Sequence, residues 1–281
     1  VAAIAPVLEP MIVQAEIARA SRKPTADLTA YDLYLRALPK YCTWAGAEMG
    51  DARDLLEAAL RQDPQFHLAR ALLAYVIFYL ALIGHDPDLD RAWARALDVV
   101  QQVLAEDTHD PLTVVYCAAV LFYVGHADAQ ALALFDWAIA ANPNCHEAWV
   151  FGGWYVMLAG DPDLALARFA EARRLDPVPT NPVALVGQAA ALFDAGRYAE
   201  AVAAARAAVA RQPRSPIART RLTVALAQLG DIEAAKREAV TLLQLRPGFT
   251  LRSVERVRGS RDDARWALYV DGLRRAGVPE E

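Results

Sequence analysis

Residues 146–177 read HEAWVFGGWYVMLAGDPDLALARFAEARRLDP, and this stretch decides the fold. Two apolar runs of helical length flank Gly160-Asp161, a turn dipeptide. Pro177 closes the second run, because a proline there cannot continue a helix. Gly153 falls inside the first run and lets two paired helices approach closely, while Ala165 and Ala172 keep the facing stripe small. The reading is a pair of antiparallel helices, A and B, with Phe169 as the one bulky residue among the small ones.

The spacing recurs in both directions. Pro143, Pro177, Pro213 and Pro247 stand 34, 36 and 34 residues apart. The two extra residues fall in the loop from Asp176 to Pro182, where lengthening costs little closure entropy. The unit from Pro182 to Pro213 keeps Gly196, Ala201 and Ala208, and the unit from Pro216 to Pro247 keeps Gly230 and Ala235. Upstream, Leu112 to Pro143 keeps Ala131, Phe135 and Ala138, with Gly125 at the turn. Trp149, Gly153, Ala165, Phe169, Ala172 and Pro177 are spaced as in the tetratricopeptide repeat, and the chain resembles that family over several tandem units. The resemblance implies an all-α fold: a right-handed superhelix, an α-solenoid of antiparallel helix hairpins.

The organisation expected along the chain has four parts. Residues 1–22 form an N-terminal helix, the end of an upstream region, with Val7, Leu8, Met11, Ile12, Ala15 and Ile17 on its apolar side. Residues 23–32 are a linker, 33–248 hold about six repeats, and 249–281 are capping helices. Pro39 interrupts the first helix A, so a break or kink is expected there. The unit starting at His67 is long by roughly ten residues, with helix A from Leu68 to Ile83 and helix B from Leu89 to Leu104. Phe249 to Val257 reads as a short helix or turn. The last helix is expected to start at Ser260 and carries Trp266, Leu268, Tyr269 and Leu273. Its expected role is to cover the open apolar end of the stack.

Composition narrows the function. The chain is 56% hydrophobic and 22% charged, enough apolar surface to exclude disorder. A net charge of −5 gives no bulk attraction to nucleic acid or anionic membrane, so neither is an expected partner. The longest apolar run, Ala71 to Gly84, is shorter than the roughly 18–20 residues of a spanning helix. Cys42, Cys117 and Cys145 are scattered, which fits a reducing, cytoplasmic setting better than a disulfide framework. Because it begins at Val1, the chain reads as a piece of a longer protein.

No catalytic, metal or cofactor site is expected. His85, His109 and His146 each stand beside an acid, but with His67 and His126 they fall at turns or helix starts of different repeats. Gly152-Gly153 has no preceding strand and no following Lys-Ser or Lys-Thr, so it is not a phosphate loop. Arg168, Arg173, Arg174, Arg206, Arg211, Arg214, Arg219 and Arg221 are interleaved with acids, the pattern of a solvated, salt-bridged face.

In the family it resembles, the concave groove is lined mainly by helix A. That register gives Tyr75, Tyr79, Tyr116, Tyr123, Trp154, Met157 and Phe193 as partner-binding residues. An aromatic lining suits an apolar peptide or helix. The partner expected is a protein or peptide segment, including the protein's own upstream domain. The same side chains also read as core, filled by helix packing or by the chain's own ends. Alternatives are a homodimer platform and a small-molecule sensor.

Two longer phrases carry a second resemblance. Arg22 to Arg36 (RKPTADLTAYDLYLR) and Tyr269 to Pro279 (YVDGLRRAGVP) are similar to the borders of the C-terminal repeat region in bacterial class III adenylate cyclase-like and winged-helix signalling proteins. The resemblance implies a non-catalytic sensory or interaction module of such a parent.

Overall fold

The computed structural model describes residues 5–24, 28–44, 46–106, 108–176 and 183–281, with side chains from Ile12 onward. All regular structure among them is helical. The chain divides into two compact units, residues 1–151 with 175–177 and residues 152–174 with 178–281. The first holds α1 (Ala5–Arg22), α2 (Ala30–Tyr41), α3 (Gly46–Gln62), α4 (His67–Leu82), α5 (Leu89–Ala105), α6 (Pro111–Tyr123), α7 (Asp128–Ala141) and the start of α8 (His146–Leu158). The second holds the rest of α8, α9 (Pro162–Leu175, to Arg174), α10 (Val183–Asp194), α11 (Tyr198–Arg211), α12 (Pro216–Leu229), α13 (Ile232–Leu245), α14 (Leu251–Arg256) and α15 (Asp263–Arg275).

Odd and even helices differ in a way the residues explain. The B helices bury one apolar stripe in which alanines alternate with larger residues: Met49, Ala52, Leu56 and Ala59 on α3, and Ala131, Phe135 and Ala138 on α7. Steps of three and four residues make one face of a helix, and the opposite face stays in water. The A helices are buried nearly all round, as on α4, where every residue from Ala71 to Ala81 is buried. α4 sits between its own partner α5, the preceding B helix α3 and the next A helix α6.

Local signals set the boundaries. Thr29 and Asp32 form a capping box at the start of α2, so residues 30–32 are helix and not linker. Asp110 and Ser215 cap α6 and α12, each followed by a proline that has no N–H to leave orphaned. Gly160 and Gly230 turn A into B at φ of 111° and 97°, a conformation that suits glycine. In the α6–α7 hairpin the left-handed residue is His126 (φ 49°), not Gly125. Gly125 is needed for closeness instead: a Cβ there would lie 2.8 Å from the Leu121 carbonyl oxygen.

Other expectations shift. Pro39 does not break α2, which runs on to Tyr41; the proline sits in the last turn, where it removes one hydrogen bond, and Cys42 still bonds back to Leu38. On α1, Ile12 and Ala15 face solvent, while Val13, Glu16, Ile17 and Ala20 turn inward. This rotation puts Glu16 on the Tyr31 hydroxyl (2.6 Å) and lets Arg36 bond the Ala20 carbonyl (3.0 Å). The side chains of Val7, Leu8 and Met11, and residues Pro177 and Pro182, lie outside what is described. The last helix starts at Asp263, because the carboxylate of Asp262, not the Ser260 hydroxyl, accepts the Arg265 N–H.

Candidate functional site

The aromatic A-helix positions of the first unit meet in its interior. Tyr41, from the end of α2, sets its ring edge-on at 6.0 Å to both Tyr75 of α4 and Tyr116 of α6. Trp44 lies 4.8 Å from Tyr79, and Phe151 stands 5.2 Å from Tyr75 and 5.8 Å from Tyr116. Tyr75, Tyr79 and Tyr116 are therefore buried by their own chain. Edge-to-face pairs of this kind contribute about 0.5–1.5 kcal/mol each beyond the area they bury. Desolvation also pushes the Tyr41 and Tyr116 phenols well above their ordinary pKa, so both stay neutral. Tyr123 is half-buried and packs on Phe78 (5.1 Å) and on Trp93 of α5 (5.9 Å).

In the second unit Met157 and Phe193 are buried, the latter against Tyr198 (5.5 Å). Trp154 is half-buried, and its indole N–H donates to the Val183 carbonyl at 3.3 Å. Its ring stands edge-on to Phe169 at 6.3 Å. Thus Tyr123 and Trp154 keep part of their surface in water, and the other five expected residues are interior.

What covers the A-helix face of the second unit is the chain's own end. The Arg261 N–H bonds the Leu158 carbonyl (2.7 Å), and the Arg265 guanidinium bonds the Gly160 carbonyl (2.7 Å), both at the end of α8. Further along, the Gln228 amide of α12 donates to the Leu268 carbonyl (2.7 Å), and Gly272 lies against Val224. Helix α15 thus crosses from α8 to α12. It packs chiefly on α12, an A helix, with little contact to α13. α12, by contrast, packs on α11 more than on α10. α15 thus lies along the A-helix side of this unit and shares the apolar core of its last hairpins.

Beneath α15 lies a set of charged side chains that the sequence does not group together. Arg221 of α12 places its guanidinium over Trp154 (5.5 Å) and over Tyr269 (5.0 Å), cation–π contacts on two rings. Burial raises the Asp194 carboxyl to about 6, against the pull of Arg221 and Arg265 and with a push from Asp262. The available signal was polarity out of place: a lone Asp ending an apolar helix, and Arg and Gln inside α12. Arg221 and the buried Arg168 leave the solvated face expected for them. Arg174 and Arg219 keep that pattern, paired with Glu171 (2.8 Å) and Glu238 (2.6 Å).

The other candidates have structural partners. His67 Nε2 is 2.6 Å from Glu106, which Arg70 also holds. No three His, Cys, Asp or Glu side chains gather as a metal site among the described residues. Burial pushes the Cys117 thiol up to about 12, leaving no thiolate for chemistry. A recess of about 320 Å³ opens among α11, α12 and α13, floored by Val209, Leu222 and Leu226 with Arg206 and Arg237 at its edge; it contains none of the expected groove residues. No described helix is long and apolar enough to cross a membrane.

Comparison with known proteins agrees with this geometry. Residues 129–182 and 192–250 each match a family model of the tetratricopeptide repeat. Over 112 residues, 38% of the chain, the sequence is 34% identical to a protein described as the CTR9 homolog of Arabidopsis thaliana. That match spans 10% of the relative's length. Among solved structures, similarity to the APC/C hetero-tetramer Cut9-Hcn1 has a TM-score of 0.65 at 14% identity, covering 95% of this chain and 47% of that one. A thermophilic repeat protein of Thermus thermophilus gives 0.50 at 18% identity, covering 65% and 91%. The type IV pilus biogenesis factor PilW gives 0.51 at 18% identity, covering 73% and 89%. At such identities the likeness speaks to fold.

Proposed function

We propose that this chain, which carries tetratricopeptide repeats, is a non-catalytic scaffold whose A-helix face binds a protein or peptide segment presented as an amphipathic helix. Repeats of this kind work generally as protein–protein interaction scaffolds, through the extended concave surfaces that stacking creates. The observation that carries the reading is α15. The A-helix face of the second unit accommodates a helix along α8 to α12, through aromatic, apolar and polar contacts together. Helix-in-groove recognition of this sort is read through anchors spaced three and four residues apart.

The finer setting rests on the two phrases. Arg22–Arg36 and Tyr269–Pro279 are similar to the borders of the repeat region in bacterial adenylate cyclase-like and winged-helix signalling proteins. On that similarity the scaffold serves a larger cytoplasmic signalling protein, and it docks either a separate protein or the parent's own output domain. The phrases also have structural work: Asp32 receives Lys23 and Thr29, and Gly272 lies on Val224.

The test is selection of helical peptides from a displayed library on the whole 281-residue chain. Selected binders should lose affinity by 2 kcal/mol or so, about 30-fold, on Trp154→Ala. Failure to select any binder, or binders indifferent to Trp154→Ala in a normally folded chain, would remove this reading.

A further inference from the structure

We propose that α15 is a displaceable intramolecular ligand, a helix that docks on the A-helix face of the 152–281 unit and opens from it as a unit while the hairpins beneath stay folded. The inference deepens the interaction reading above and rests on it for the identity of the displacing partner.

α15 shares the apolar core of the last hairpins through Val270 and Leu273, but its interface also carries charge. The hairpins hold together through stripes of Ala, Val and Leu, such as Ala201, Val202, Ala205 and Ala208 on α11. Beneath α15 the surface carries Asp194, Arg221 and Gln228, and α15 answers with Tyr269, Arg265 and the Leu268 carbonyl. Interfaces between parts that separate are more polar than cores. The polar groups also weaken closure. Asp194 is held under α15 with its carboxyl pushed up to about 6, and lifting the helix returns it and the two guanidinium groups to water. Rehydration of that cluster offsets part of what Val270 and Leu273 gain by burial.

The attachment has a graded strength along the helix. Just ahead of the helix the Arg261 N–H bonds the Leu158 carbonyl, and in its first half Arg265 reaches the Gly160 carbonyl while Leu268 faces solvent. Its second half is anchored by Val270, Leu273, Ala276 and Val278, and the tail pairs back to Leu251 and Arg252. Opening therefore starts near Arg261 and proceeds toward Gly272. The occupant also specifies what can replace it: a helix with a small residue at the Val224 contact and an aromatic residue three positions earlier, as Tyr269 precedes Gly272.

Hydrogen exchange on the full chain tests the opening, with no partner present. Amides of Asp263–Arg275 should exchange about 10-fold or more faster than those of α12. A Val224→Cys/Gly272→Cys variant, whose Cβ atoms fall near disulfide distance, should lose that difference when oxidised and regain it when reduced. A labelled synthetic peptide of residues 259–281 should enter the reduced variant and enter the oxidised one about 10-fold more weakly. Equal protection of α15 and α12, exchange unchanged by the lock, or no uptake of the peptide at about 1 mM would each overturn the proposal. If α15 opens and the peptide enters but no foreign helix binds, the interaction reading falls and the device stands.

Discussion

A Cβ placed on Gly272 of α15 would sit 3.3 Å from both the Cα and the Cβ of Val224 on α12. The two helices therefore touch backbone to backbone at this point. A larger residue at 272 forces them apart. Gly272→Leu should weaken docking of α15 by about 1–3 kcal/mol, the usual cost of overpacking. Trp266, next to Tyr269 at 5.1 Å, reports it: its fluorescence should change at lower denaturant than the far-UV signal of the remaining helices. A single transition at the wild-type midpoint would show that the contact tolerates the added bulk.

Phe169 is clasped between two glycines on neighbouring A helices. A Cβ at Gly153 would lie 2.9 Å from its ring, and one at Gly187 would lie 2.3 Å away. Gly187→Ala should destabilise the unit by about 1–3 kcal/mol, despite the better helix propensity of alanine. Phe169→Ala should cost about 3–5 kcal/mol through the cavity it leaves. Combining Gly187→Ala with Phe169→Leu should recover part of the first loss, because the two changes share one space. Strict additivity of the two in chemical denaturation would mean that they do not meet.

Asp194 gives a pH dependence of unusual sign. Its folded pKa is raised to about 6 by burial, above the ordinary value of 3.8, so the folded chain holds the proton more tightly than the unfolded chain. The stability it contributes is complete below pH 4 or so, falls as pH rises through about 6, and then levels. Asp194→Asn should therefore stabilise the chain at pH 8 by something on the order of 1–3 kcal/mol, and remove that slope. Melting temperatures of both proteins across pH 4–8 check it, and a less stable Asn variant at pH 8 would contradict the assignment.

Asp32 acts with the opposite sign. Lys23 (2.6 Å) and Thr29 (2.7 Å) hold its buried carboxylate far below the ordinary range, with Arg19 at 3.6 Å. Its contribution is present above the unfolded value near 4 and is lost as pH falls through the depressed folded value. Asp32→Ala should cost roughly 2–3 kcal/mol at pH 7, as the loss of charged hydrogen bonds predicts, and free α1 from α2. Limited proteolysis near Lys23 should then accelerate. An unchanged cleavage rate would assign the docking of α1 to its apolar contacts alone.

The parts of this structure that local chemistry fixes were legible in the residues. Prolines after helix B, glycine turns at 160 and 230, and small residues beside Phe169 act within a few positions of themselves, so their spacing marks the hairpins. Whether a ring on helix A faces water depends on what lies across from it. Tyr75 and Tyr116 are interior because Tyr41 and Phe151 meet them, contacts set by stacking and not by any local pattern. The path of α15 is still less local. Arg265 finds the Gly160 carbonyl 105 positions earlier, and an amphipathic pattern does not say which exposed face will receive it. The half-buried Arg221 and Asp194 sit beneath that docked helix, so a sequence that reads as a salt-bridged surface conceals them.

The central claim is that the A-helix face, not the outer B-helix surface, receives the partner helix. Photocrosslinking with p-benzoylphenylalanine at position 154, on that face, or at position 240, where Val240 is 58% exposed on α13, measures it directly. With a selected helical peptide bound to the full chain, adducts should form from position 154 and not from 240. Adducts from 240 with none from 154 would contradict the account.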